Sequence, residues 1–199
     1  MVQAIIFDFG GVLVRTEDRK PRTVLAERLG MTYDELSALI FDSPSAIQAM
    51  RGEISALEHW EELRKSLDLD AEGIEWLSTE FWAGDTLDEN LVDFLRGLRP
   101  RYTTVLLSNA WDDLRPMIEE EWMIDDAFDL LVISAEIGLV KPDLEIYQWV
   151  IAELGVEASQ AVLIDDFIRN IEGANAAGMR AIHFQSPNQA LQELRSLLV

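Results

Sequence analysis

Five short runs rich in Val, Ile, Leu or Phe, at residues 2–7, 103–107, 128–133, 161–164 and 180–184, constrain this chain more than any other feature. A strand that is apolar on both faces must be covered on both faces, as in a parallel sheet sandwiched between helical layers. Helical patterns separate the later runs. Residues 144–154 are one example, closed by Gly155 where a C-terminal cap belongs. This alternation predicts an α/β fold with a doubly wound parallel sheet.

The first two runs lie almost a hundred residues apart, far more than a single crossover helix needs. Helix formers fill the excess. Apolar periodicity recurs at residues 24–29, 33–41, 55–67 and 71–82, with Gly30 ending the first segment. An inserted helical subdomain at residues 15–86 is therefore expected, hinged near Arg15-Thr16 and Ala83-Gly84-Asp85. Residues 1–14 and 87–199 then form the sheet domain. A helix over residues 88–98, ending near Gly97 and Pro100, would return the chain to the sheet.

Lysine and arginine number 16 against 37 aspartates and glutamates, a formal net charge of −21 that repels polyanions. Nucleic acid is thus a poor partner, and a phosphorylated ligand would need local positive charge. With no cysteine, disulfides and thiolate-bound zinc are excluded. The first apolar run is broken at Asp8, too short for a signal segment or membrane span, so a soluble cytoplasmic protein without membrane contact is expected. It would act as a monomer or a homodimer.

Polar residues follow four of the elements. Asp8 ends the run Val2 to Phe7, Ser108-Asn109 follow Val105-Leu106-Leu107, Lys141-Pro142 follow a short glycine-bearing loop, and Asp165-Asp166 follow Ala161 to Ile164. In doubly wound sheets, ligands bind beyond the carboxyl ends of the strands. A carboxylate there can act as a covalent nucleophile, and Asp8 is the candidate. Asp165 and Asp166 beside it would repel unless a cation intervened. Magnesium fits, since it takes hard oxygens and is commonly held by one or two carboxylates together with a substrate phosphate. The expected metal set is Asp8, the Gly10 carbonyl, Asp165 and Asp166. Ser108, Asn109 and Lys141 would contact the phosphoryl group, with Lys141 neutralising developing charge. Singly, each signal also reads as an ordinary turn, cap or solvated lysine; their joint order is the specific observation.

These motifs resemble those of the haloacid dehalogenase hydrolase superfamily along essentially the whole chain: Phe7-Asp8-Phe9-Gly10-Gly11-Val12-Leu13, Leu107-Ser108-Asn109, Lys141-Pro142-Asp143 and Ile164-Asp165-Asp166-Phe167-Ile168-Arg169-Asn170. The resemblance implies a Rossmann-like core with a type 1 helical cap. Within the insertion, Arg51-Gly52-Glu53-Ile54-Ser55 and Glu58-His59-Trp60 are similar to caps of the sugar-phosphate phosphatase and epoxide-hydrolase N-domain branch. It further implies Asp8 as nucleophile, Ser108 and Lys141 as stabilisers of a phosphoaspartyl state, Asp166 as a magnesium ligand with Asp165 binding directly or through water, and a supporting role for Asn170. The expected substrate is a small phosphorylated metabolite.

One departure matters. Phosphatases of the superfamily usually carry an acid/base aspartate two residues after the nucleophile, and here that position is Gly10. Activated leaving groups would then be favoured. A metal-independent 2-haloacid dehalogenase and a non-catalytic binding protein are the competing readings. Arg15 and Thr16 are candidate phosphate contacts. His59 is a weaker candidate for the cleft, whereas His183 and most of the tryptophans are expected to be structural.

Overall fold

The computed structural model describes residues 1–99 and 101–198, so the end of the return helix at Pro100 lies outside the described residues. Its strands are β1 (Ala4–Phe7), β2 (Val14–Thr16), β3 (Asp85–Leu87), β4 (Thr103–Ser108), β5 (Leu130–Ile133), β6 (Ala161–Asp165) and β7 (Arg180–His183). Five of them form a wholly parallel sheet in the order β5-β4-β1-β6-β7. The chain builds outward from β1 to β5 on one side, then crosses back to lay β6 and β7 on the other. That reversal makes β1 the switch point and opens a crevice at its carboxyl end.

Side chains alternate across the sheet. Ile5, Phe7, Leu106, Val162 and Ile164 face one layer, where they meet Leu91 and Leu95 of α6 (Glu89–Leu98) and Leu194 of α11 (Pro187–Leu197). Ala4, Ile6, Val105, Leu107 and Leu163 face the other, against Ile146, Tyr147 and Val150 of α9 (Leu144–Leu154) and Ala174 of α10 (Ile168–Ala176). All these strand residues are buried, which is why the runs read as apolar throughout rather than alternating. The short helices α7 (Leu114–Pro116) and α8 (Ser134–Ile137) complete the connections around β5.

Between β2 and β3 lie α1 (Lys20–Arg28), α2 (Tyr33–Phe41), α3 (Pro44–Met50), α4 (Ala56–Ser66) and α5 (Ala71–Trp82). Leu25, Leu36, Ile40, Leu63, Leu77 and Phe81 give these helices a hydrophobic cluster of their own. Local chemistry sets their starts. Thr32 with Glu35, and Ser55 with Glu58, form reciprocal capping boxes at α2 and α4. Ser43 caps α3, and Pro44 fills its first turn where no amide donor is needed.

β2 and β3 pair antiparallel, with Arg15 opposite Thr86, as a two-stranded ribbon where the insertion leaves and rejoins the sheet domain. The candidate phosphate contacts of this region are engaged elsewhere. Arg15 donates to the Val12 carbonyl and to Asp88, and Thr16 donates to Asp85. Buried Arg22 donates to both Asp85 oxygens and to the Phe81 carbonyl, fastening α1 to the ribbon. Gly84 passes so close to this segment that an added Cβ would stand 1.9 Å from the Asp18 carbonyl oxygen. No helix among the described residues is long and apolar enough to cross a membrane.

Candidate active site

Strand register brings the motifs together. Phe7 pairs with Leu106 on one side and Ile164 on the other, so Asp8 stands level with the ends of β4 and β6. Its backbone amide still donates to Ile164, after which the chain turns away. Asp8, Ser108, Lys141 and Asp165 are all buried.

Lys141 Nζ is the hub. It lies 2.8 Å from Asp8 Oδ1 and 2.7 Å from Asp165 Oδ2, and donates to the Leu107 carbonyl at 2.9 Å. Three donors meet three acceptors, the full capacity of an ammonium. Asn109 steadies this lysine: its Nδ2 donates to the Lys141 carbonyl and its Oδ1 accepts from the Lys141 amide, both at 2.8 Å. The expectation that the Asn109 side chain contacts substrate therefore meets a different geometry, with both polar ends holding the lysine backbone. Ser108 differs, because among the described residues no hydrogen bond engages its Oγ.

Asp8, Asp165 and Asp166 each offer an oxygen within 4.8 Å of the others. Asp8 Oδ1 also accepts from the Phe9 amide at 2.7 Å. Among the described residues Asp166 Oδ1 is buried without a protein partner, which is costly for a charged oxygen. Burial pushes the Asp8 carboxyl up to about 8, opposed by Lys141 and reinforced by Asp165. Burial and then Asp165 likewise push Asp166 to about 6. Lys141 is raised: burial alone would lower it, but Asp8 and Asp165 together outweigh that effect. A cluster of hard oxygens that resists ionising alone, with one oxygen orphaned, fits a divalent cation.

The Phe9-Gly10-Gly11 turn closes over this cluster. Gly11 has φ +80°, and a Cβ there would fall 2.1 Å from Asp166 Oδ2, so only glycine lets the loop lie on the carboxylate. Gly10 is exposed, and a Cβ there would meet no atom within 4 Å.

Other features were less legible beforehand. Trp111, three residues beyond Ser108, leaves the sheet domain and inserts into the hydrophobic cluster of the inserted helices, 4.6 Å from the His59 ring. His59 is fully buried, pairing through Nδ1 with Ser45 and through Nε2 with the Ile40 carbonyl, so it is a core residue of the insertion and does not face a cleft. His183 Nε2 pairs with the Asp166 carbonyl at 2.9 Å, bracing the metal-candidate loop. At the seam between the two units, Ser55, Leu57, Trp60, Asp112 and Asp113 line a groove of about 350 Å³, where Asp112 accepts from the Ala56 amide.

The parallel α/β sheet thus gathers a buried aspartate, a buried lysine and a carboxylate pair at its switch point, an arrangement that defines a class of hydrolases. The chain belongs to the haloacid dehalogenase-like hydrolases, whose family model matches residues 2–178. It is 28% identical to the sesquiterpene phosphatase astK of Aspergillus oryzae, over 98% of this chain and 96% of that protein. It is also 28% identical to the D-ribitol-5-phosphate phosphatase of Bacteroides thetaiotaomicron, over 100% and 99%. In structure it resembles a haloacid dehalogenase family enzyme from Bacteroides thetaiotaomicron solved with magnesium and inorganic phosphate. That match has a TM-score of 0.78 and 20% identity, and covers 94% and 96% of the two chains.

Proposed function

We propose that this protein is a magnesium-dependent phosphatase that hydrolyses a small phosphorylated metabolite through an aspartyl-phosphate on Asp8. One observation carries the reading: a buried lysine joins the candidate nucleophile to a carboxylate cluster whose Asp166 Oδ1 has no partner of its own. The two full-length relatives named as phosphatases support it.

Asp8, Asp166 and the Gly10 carbonyl would hold the cation, with Asp165, whose oxygens already accept from Lys141, the Phe167 amide and Asn170, binding directly or through water. When bound, it keeps Asp8 ionised and offsets charge on the phosphoryl oxygens. Asp8 holds Oδ1 on Lys141 and the Phe9 amide, leaving Oδ2 to attack phosphorus. As the new P–O bond forms, the bond to the leaving oxygen breaks and its electron pair leaves on that oxygen, which departs as an anion and takes its proton from water. Lys141 and Ser108 take up charge on the transferring group. Attack of water at phosphorus then forms the new P–O bond, breaks the bond to Asp8 Oδ2, returns its electron pair to the carboxylate and releases phosphate and a proton to solvent. The helices of residues 15–86 act as a cap that selects the leaving group.

Gly10 stands where an acid/base aspartate would protonate that leaving group, so anomeric, acyl and aryl phosphates are the favoured substrates. Displacement of halide from a 2-haloacid is the weaker reading, because the anionic substrate would approach three carboxylates and a single ammonium. The test is hydrolysis of an aryl phosphate with and without magnesium, using Asp8→Asn as control. Magnesium-dependent turnover lost in the variant is expected; equal rates in all conditions reject the proposal.

A further inference from the structure

We infer that Trp111 is a positioning residue that pins the cap of residues 15–86 over the site, so that turnover proceeds with the cap docked rather than swinging on its hinge. The inference deepens the phosphatase reading, resting on it for the reaction but not for the mechanics of the cap.

The peg is rooted at its base. Asn109 grips both backbone groups of Lys141, and the Ser134 hydroxyl donates to the Ala110 carbonyl at 3.1 Å and accepts from the Ala110 amide at 3.0 Å. Residues 109 and 110 are thereby fixed to the sheet domain, and the very next side chain crosses the seam. Its ring centroid lies 4.6 Å from that of His59, 5.9 Å from that of Trp60 and 6.3 Å from that of Phe41, with only 6% of the residue exposed. Among the described residues the indole Nε1 has no hydrogen-bond partner, so packing alone holds the head of the peg.

A cap joined only through the ribbon of β2 and β3 could rotate about it, but two further attachments use other elements. Asp112, beside the peg, accepts from the Ala56 amide at the start of α4 at 2.8 Å. At the end of α3, Arg51 pairs with Asp143 at 3.2 Å, and Gly52, at φ +68°, lies so close to α8 that a Cβ would stand 2.1 Å from the Ala135 carbonyl oxygen. Rotation must break both. The exposed ion pair adds little by itself, so the peg dominates: returning an indole of about 150 to 250 Å² to water holds the open fraction near or below about one in a thousand. Gly10, two residues past Asp8, stays exposed with the cap docked and leaves small phosphate esters a route to the nucleophile. Esters too wide for that opening are excluded.

Ala56 supplies a reporter. As the first residue of α4 its amide has no partner within the helix, and its bond to Asp112 spans the seam. In the 15N-labelled full chain, hydrogen exchange at this amide should be slowed by about a thousandfold or more relative to an unprotected amide. In Trp111→Ala it should come within about tenfold of an unprotected amide while the amides of β4 remain slowed by more than about a hundredfold, and Trp111→Phe, which keeps an aromatic head, should restore the protection. The inference is overturned if the wild-type Ala56 amide already exchanges within about tenfold of an unprotected one, or if Trp111→Ala lowers protection at Ala56 and in β4 by one common factor, as a purely structural role requires. A second measurement needs no Trp111 variant to fold. The chain has no cysteine, so Arg51→Cys with Asp143→Cys gives a unique thiol pair across the seam. Joining the pair with a short reducible linker should leave kcat and kcat/KM on an aryl phosphate within about twofold of the same protein with the linker reduced. A loss of about tenfold or more that reductant restores would reveal a cap that must swing, and overturns the inference. Should the wild type turn over no phosphomonoester, the phosphatase reading fails while exchange at Ala56 still decides whether Trp111 pins the cap.

Discussion

Supplying the missing acid is the sharpest perturbation of the proposed chemistry. In Gly10→Asp the new Cβ meets no atom within 4 Å, and Gly10 is absent from the positive-φ glycines, so neither clash nor backbone strain opposes it. The position is exposed, so a fourth carboxylate would sit towards solvent rather than among buried Asp8 and Asp165 and half-buried Asp166. At about 8 Å and an effective dielectric near 20, each like-charge pair repels by about 2 kcal/mol before screening, and by less once water and salt intervene. A positioned general acid contributes about 10²- to 10⁴-fold, or about 3 to 5 kcal/mol of barrier. The balance favours a gain of about 10²-fold in kcat for an alkyl phosphate, whose alkoxide needs a proton. For 4-nitrophenyl phosphate, whose phenolate leaves without one, the change should stay below about threefold. The assay compares kcat on both substrates in magnesium for wild type, Gly10→Asp and the non-ionisable Gly10→Asn. The reasoning is refuted if both substrates respond by one common factor, or if asparagine matches aspartate.

Three further outcomes follow from the geometry. Gly11→Ala would force a Cβ onto Asp166 at φ +80°; it should lower stability by about 1 to 3 kcal/mol and weaken calorimetric Mg2+ binding, and unchanged affinity would sink the placement of this loop. In cation-free protein the Asp8 and Asp166 carboxyls rise from 3.8 to about 8 and about 6, so the folded state retains protons that the unfolded chain has released. Stability should therefore fall as pH rises from near 4 towards 8, and saturating Mg2+ should flatten that fall; denaturant midpoints that climb over this range without cation would contradict it. Trp111→Ala removes a buried indole from the seam and should cost about 3 to 5 kcal/mol in denaturant unfolding, whereas a loss below about 1 kcal/mol would show that the two units do not depend on it.

What could be read from the sequence, and what could not, divides along a physical line. Asp8, Ser108 and Asp165 were visible because each ends a run whose neighbours are buried on both faces, and a polar side chain at such an end has only the crevice to enter. The ribbon of β2 and β3 escaped notice because three-residue strands without a buried residue carry no readable period. Trp111 escaped because its partners, Phe41, His59 and Trp60, lie more than fifty residues earlier, and nothing local says that a sheet-domain loop feeds another unit's core. The C-terminal helix did carry a signal, the Ser186-Pro187 start with Gln189 three residues after the cap, that hydrophobic periodicity alone did not weigh.

The different surroundings of Asp165 and Asp166 have their origin in strand parity. Along β1, Ala4 and Ile6 face the layer of α9 and α10; along β6, Ala161 and Leu163 do the same. Counting by twos carries that face to Asp8 and to Asp165, and β4 adds Leu107 to it. Lys141 reaches the same layer because it lies three residues before the start of α9, and Asn170 because it lies in the first turn of α10. An ammonium arriving from that side meets Asp8, Asp165 and the Leu107 carbonyl together, as the distances record. Asp166 lies one residue beyond the strand, outside its alternation, and turns instead beneath Gly11. Two adjacent aspartates thus enter different surroundings, one with both oxygens accepting hydrogen bonds and one with its Oδ1 buried and, among the described residues, unpartnered. A chain with these same residues but β6 shifted by one position would present Asp166 to Lys141 and leave Asp165 against the opposite layer of apolar side chains, dismantling the site without changing its composition.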